Sequence, residues 1–166
     1  MSRQDELAAR VRGAADEMIA LRAELETGAP WPLAADLGTG TEASWGPPEV
    51  LAHVAEMLPF WLGQVERIVA SADAVTPFGR VADDPARLTA IEVDRRLPIG
   101  DLLERIGSAA SVYVERLARL SDADLERIGV HPRLGEMPVD QILERFAAAH
   151  AVDHLNQLRG TAGRPA

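Results

Sequence analysis

Cysteine is absent from the 166 residues. Disulfides, thiolate metal ligands and a cysteine nucleophile are therefore excluded together. Lysine is missing too, since all 17 basic residues are arginine, which rules out a lysine Schiff base and the lysine of a phosphate-binding loop. Aromatic residues make up only 4% of the chain although 47% is hydrophobic, so the core must come from Ala, Leu, Val and Ile, a palette that leans towards helices. Apolar runs long enough for a signal core or a bilayer span are also lacking, and cytoplasmic residence is the expectation. Positive charge is in deficit, with 17 cations against 26 acidic residues and a net charge of -9. A nucleic acid or an anionic membrane is disfavoured as partner, and a small molecule is the expected substrate.

The length suits one domain spanning residues 1–166, and hydrophobic periodicity divides it into four long helices. Leu7, Val11, Ala14, Met18, Leu21 and Leu25 alternate spacings of four and three, the pattern of a rod packed in a bundle. Gly28, Pro30 and Pro32 stop that helix, and a Gly- and Thr-rich stretch to Ser44 reads as loop. Pro47 and Pro48 open helix two, which runs to about Ser71 with a bend expected near Pro59. Ile99, Leu103, Ile106, Ala110, Tyr113, Leu117 and Leu120 mark helix three, and Val139, Leu143, Phe146 and His150 mark helix four. Residues 72–98 form a long crossover in which Asp84, before Pro85, is placed to cap a short extra helix. The expected fold is an all-α four-helix bundle with a long crossover between helices two and three.

The histidines carry the chemistry. His150 and His154 are four residues apart, so on a helix they stack about 6 Å apart on one face. His53 shares a stripe with Val50, Met57, Phe60 and Gln64, a position that is normally aliphatic, and His150 occupies a similar position on helix four. Each buried imidazole without a partner costs on the order of 1–3 kcal/mol. If the helix bearing His53 packs beside helix four, one divalent metal shared by His53, His150 and His154 would remove that cost and leave coordination positions open for chemistry. His131, preceding Pro132, reads as a turn or surface residue that could edge the site.

Other residues carry weaker signals. Glu56 and Asp153 each lie within one helical turn of a proposed ligand and could orient an imidazole or a water, although surface ion pairing explains them as well. Gln157 returns to the helix-four face of His150 and His154. Gly38-Thr39-Gly40 follows no strand and has Ala43 where a dinucleotide loop needs glycine, so it reads as plain loop. His150 and His154 enclose Ala151, Val152 and Asp153 without the glutamate of a zincin protease. Trp45, Phe60 and Trp61 could wall a pocket, though aromatic residues on helices usually belong to the core. Arg80, Arg87, Arg95 and Arg96 on the crossover could recognise a carboxylate or phosphate, against the reading of a solvated charged loop.

Two segments resemble the DinB-like superfamily of metal-binding four-helix bundles. Trp45-Gly46-Pro47-Pro48-Glu49-Val50-Leu51-Ala52-His53 is similar to that family's start of helix two with its single ligand histidine. His150-Ala151-Val152-Asp153-His154-Leu155-Asn156-Gln157 is similar to its H-x-x-x-H-x-x-Q signature on helix four. The resemblance implies nickel, zinc or manganese held by His53, His150 and His154, and a homodimer. It also implies a transferase that uses a low-molecular-weight thiol, with mycothiol the candidate. Some mycothiol-dependent relatives carry glutamate where this chain has His150, so the choice of thiol stays open. A metal-dependent hydrolase on the same site and a non-catalytic, metal-stiffened stress-response module are the alternatives.

Overall fold

The computed structural model describes residues 1–162. Four rods form its frame: α1 (Arg3–Ala20), α3 (Pro47–Ala70), α5 (Ile99–Leu117), and a composite fourth rod. That last rod joins α7 (Val139–Leu143), a π-helical turn (Glu144–Ala148) and α8 (Ala149–Ala162). Three short helices fill the connections: α2 (Arg22–Thr27), α4 (Pro85–Asp94) and α6 (Asp122–Leu125). The helices begin where their sequences supply caps. Ser2 and Asp5 form a capping box on α1, Asp84 accepts from the Arg87 amide at the start of α4, and prolines occupy the first turn of α3. Pro59 lies inside α3 without ending it. No helix among the described residues is long and apolar enough to cross a membrane.

The packing is a four-helix bundle in which α1 touches α5 and α8, while α3 touches α5, α7 and α8. Consecutive rods α1 and α3 therefore sit at opposite corners. The connection between them, residues 28–46, has to cross the end of the bundle, a second crossover beside the expected one. Two staples hold it. The carboxylate of Glu49, wholly buried on α3, accepts from the Ala34 amide at 2.8 Å and from Arg95 at 2.8 Å, and Arg95 also donates to the Ala34 carbonyl at 2.7 Å. The side-chain amide of Gln157 on α8 donates to the carbonyls of Glu42 at 2.8 Å and Trp45 at 3.1 Å.

Several expectations need correction. Helix one breaks at Leu21, and Leu25 enters the core from α2. Helix three ends at Leu117, short of Leu120. The crossover and the segment before α7 contain strands where only loop was expected: β1 (Val75–Pro77) pairs in parallel with β2 (Ile128–His131), which pairs antiparallel with β3 (Gly135–Pro138). Strands of three or four residues interrupted by Pro and Gly are too short to show the two-residue alternation that marks a strand. The little sheet ties the two long connections together, and Arg127 reinforces it by donating to the carbonyls of Ile68, Ser71 and Asp73. Gly129 is required there because a Cβ would fall 2.5 Å from the Phe78 ring and 2.7 Å from Ile68.

The arginines of the crossover are not solvated as a group, since Arg87 and Arg95 are buried. His131 is buried as well, contrary to the surface reading. Its Nδ1 accepts from the amides of Arg133 and Leu134, which leaves the proton on Nε2 to donate to the Arg80 carbonyl at 3.1 Å. The ring is thus a satisfied structural histidine, stacked on Phe146 with centroids 5.5 Å apart. Gly79 makes the contact with Arg80 attainable. Its φ is +84°, and a Cβ would lie 2.5 Å from His131 Cδ2. Gly79→Ala should cost about 1–3 kcal/mol from backbone strain alone, with the clash added. Urea unfolding midpoints of the two proteins measure it, and equal midpoints would contradict the assignment.

Candidate metal centre

Three elements deliver four donors to one point. α3 supplies His53, α8 supplies His150 and His154, and a short 3-10 turn (Glu42–Ser44) in the bundle-crossing loop supplies Glu42. One ligand atom from each lies within 4.8 Å of all the others. His150 Nε2 is 3.1 Å from His53 Nε2 and 3.2 Å from His154 Nε2. Glu42 Oε2 is 3.2 Å from His150 Nε2 and 3.4 Å from His154 Nε2, and Oε1 is 3.7 Å from His53 Nε2. Donors bound about 2.0–2.1 Å from one ion are about 2.9–3.4 Å apart, from right-angled to tetrahedral geometry, so most of these spacings match ligands of a shared cation.

Proton positions sharpen the match. Because the Gln157 amide nitrogen donates to two carbonyls, its oxygen faces His154 Nδ1 at 3.0 Å and can only accept. His154 therefore carries a proton on Nδ1, which leaves Nε2 as the ring atom turned towards the cluster. That nitrogen faces a carboxylate oxygen and His150 Nε2, groups that one shared cation would satisfy together. His53 Nδ1 is buried with no hydrogen-bond partner, 4.0 Å from Glu56 Oε2. A small approach of Glu56 would orient that ring in the manner of a carboxylate behind a ligating histidine. The residues present fit a divalent metal.

Electrostatics agree with this charge arrangement. Burial opposes ionisation of Glu42, yet the adjoining His150, His154 and His53 rings outweigh it and hold the carboxyl well below its usual range. Burial dominates at His53 and pushes its imidazole well below the ordinary value, with Glu42 opposing and the neighbouring rings and Arg87 adding to the effect. An ionised carboxylate thus faces an uncharged His53.

The two helix-four histidines differ from the expectation. His154 is the deeply buried one, with a side chain 4% exposed like that of His53, whereas His150 is 31% exposed at the rim. The π-helical turn at Glu144–Ala148 is the cause: its extra residue per turn rotates the helix, so the buried stripe passes through Ala147, Ala151, His154 and Leu158 instead of continuing from Phe146 to His150. Phe146 becomes a wall, stacked on Trp61 with centroids 4.2 Å apart. A cavity of about 170 Å³ opens between that wall and the cluster, with Glu42, Arg80 and Arg87 around it. Trp45 lies edge-on to His53 with ring centroids 5.6 Å apart. Asp153 points away and is exposed. Glu56 pairs with Arg80 at 2.5 Å, and that guanidinium also lies 3.7 Å from the centre of the Phe60 ring.

The sequence profile of the DinB superfamily matches residues 2–158. The chain belongs to the DinB superfamily. Among solved structures, its fold is similar to that of YfiT from Bacillus subtilis, described as a probable metal-dependent hydrolase with an unusual four-helix bundle topology. The likeness has a TM-score of 0.67 at 12% sequence identity and covers 96% of this chain and 85% of that one. No curated protein matches the sequence. Within the superfamily frame, Glu42 is the donor that sequence reasoning missed. It lies in an irregular loop with no periodicity, and only its place 11 residues before His53 is visible in the sequence.

Two measurements test this account. Gln157→Leu removes the acceptor from His154 Nδ1 and one staple of the crossing loop, and should weaken divalent-metal affinity by roughly 10–100-fold while the circular dichroism spectrum stays helical. For the metal-free protein, His53 has a folded pKa below its unfolded value. As pH falls below about 6.5, the unfolded chain takes up a proton that folded His53 refuses, so stability is lost on acidification. Urea midpoints across that range should fall in the wild type and fall less steeply in His53→Gln.

Proposed function

We propose that this protein is a metal-dependent enzyme acting on a small molecule, with the ion held by His53, His150 and His154 and a low-molecular-weight thiol as cosubstrate. The observation that carries the reading is the convergence of three imidazole Nε2 atoms, at spacings that ligands of one cation adopt, beside a cavity bounded by His150. When bound, a divalent metal supplies Lewis acidity that lowers the pKa of a coordinated thiol or water, making a nucleophile available near neutral pH. The chain contributes no cysteine or lysine to serve as nucleophile itself. Its own residues do the positioning. Gln157 fixes the His154 tautomer, Trp61 and Phe146 give the cavity an apolar wall, and the half-exposed edge of His150 is where a cosubstrate reaches the cluster. Mycothiol is the thiol to test first, on the strength of the family resemblance.

A hydrolase is the second reading, favoured by Glu42: an ionised carboxylate beside the cluster can accept a proton from water, which thiol activation does not require. The description of YfiT points the same way.

Elemental analysis of protein purified without an affinity tag should find about one divalent ion per chain. His53→Ala, His150→Ala and His154→Ala should each lose it, and retention of full occupancy by all three would refute the site. With a generic electrophile, the metal-loaded protein should form conjugate only when thiol is added, and faster than His150→Ala does. Turnover that persists with thiol omitted would instead establish hydrolysis.

A further inference from the structure

We propose that Glu42 is a displaceable donor to the histidine cluster, and that its place between those imidazoles and the Arg87 guanidinium receives the carboxylate of a small organic acid. This rests on the metal-centre reading above and names the substrate class for it.

The Glu42 carboxylate bridges two partners. Oε1 is bonded to Arg87 Nη2, while Oε2 faces His150 and His154 at 3.2 and 3.4 Å. The three histidines are mounted on long helices, but Glu42 stands on a three-residue turn and its side chain is 29% exposed. Glu49, another glutamate with a buried arginine partner, is wholly enclosed on α3 and bonded to backbone as well, so it has no comparable freedom. Glu42 is therefore the donor least fixed by the fold.

Arg87 determines what may replace it. Its side chain is 6% exposed, Nη1 is committed to the Ala82 carbonyl at 2.7 Å, and the guanidinium lies 5.3 Å from the centre of the Trp45 ring. A guanidinium so far withdrawn from water is destabilised without an anion, so simple departure of Glu42 is unfavourable, whereas exchange of one carboxylate for another conserves both charge and hydrogen bonding. Arg80 does not compete for the incoming group, being paired with Glu56 and laid over Phe60. The cavity of about 170 Å³ touches Glu42, Arg87 and His150 on its polar side and Trp61 and Phe146 on its apolar side. An acid with a short apolar body fits that division, its carboxylate towards Arg87 and its body against the rings.

The test is spectroscopic and needs no turnover. Apoprotein is loaded with one equivalent of Co2+, whose visible absorption reports its donors, and titrated with acetate and propionate against chloride at equal ionic strength. The wild-type spectrum should change saturably on adding either acid, as one carboxylate replaces another among the cobalt donors, and stay unchanged with chloride. Glu42→Gln, chosen over alanine because it still accepts from Arg87, should bind Co2+ roughly tenfold more weakly. Arg87→Gln should retain Co2+ and weaken the response to the acids by about tenfold, the loss expected for a buried charge-assisted pair. A Glu42→Gln spectrum identical to the wild type, or an acid response independent of Arg87, would overturn the proposal while histidine-dependent Co2+ binding left the metal centre standing. Failure of the wild type to bind Co2+ would remove both.

Discussion

Three imidazoles and a carboxylate crowded at one point are the constraint on which this structure turns. His53, His150 and His154 bring Nε2 atoms to about hydrogen-bonding distance, and Gln157 fixes one of those rings by accepting from its Nδ1–H. Drawing such polar groups out of water opposes folding, so the elements that assemble the cluster must be strongly held. They are: His53 and His154 are set in helices whose neighbours are fully buried aliphatic and alanine side chains. Hydrophobic burial of the rods is thus spent partly on forcing polar groups together.

The same logic extends outward from the cluster. Gln157 at once sets the His154 tautomer and ties down the loop that carries Glu42, so the cluster and the loop position are coupled through one side chain. The Glu49–Arg95 pair performs the equivalent task at Ala34. On the opposite side, the three-stranded sheet brings His131 under the Arg80 backbone and sets the crossover against the Phe146 wall. Most of these polar contacts join segments far apart in sequence, which is what a bundle with diagonal connections needs at the end that holds the histidine cluster.

Much of this was legible in the residues. The four-three spacing of apolar positions located the rods, Asp84-Pro85 announced α4, and the placement of His53 in an apolar stripe identified the helix that would meet His150 and His154. Other features left no such trace. The sheet strands are too short to reveal a period, and the π turn shifts the face of helix four through backbone geometry that no residue type signals. His131 beside Pro132 looked like a turn residue because its two backbone donors and its ring partners come from the fold around it.

By itself, then, the amino-acid order determined the helical frame, the exclusion of thiol and lysine chemistry, and the three imidazoles, because periodicity and composition act locally. Tertiary structure alone decided that Glu42 joins them, that Arg87 is buried behind it, and that His154 rather than His150 is the enclosed histidine of the pair. The physical reason is distance along the chain. A carboxylate in an irregular loop acquires a role only when a crossing connection is pinned by groups more than a hundred residues away, and that pinning depends on which rods occupy which corners of the bundle.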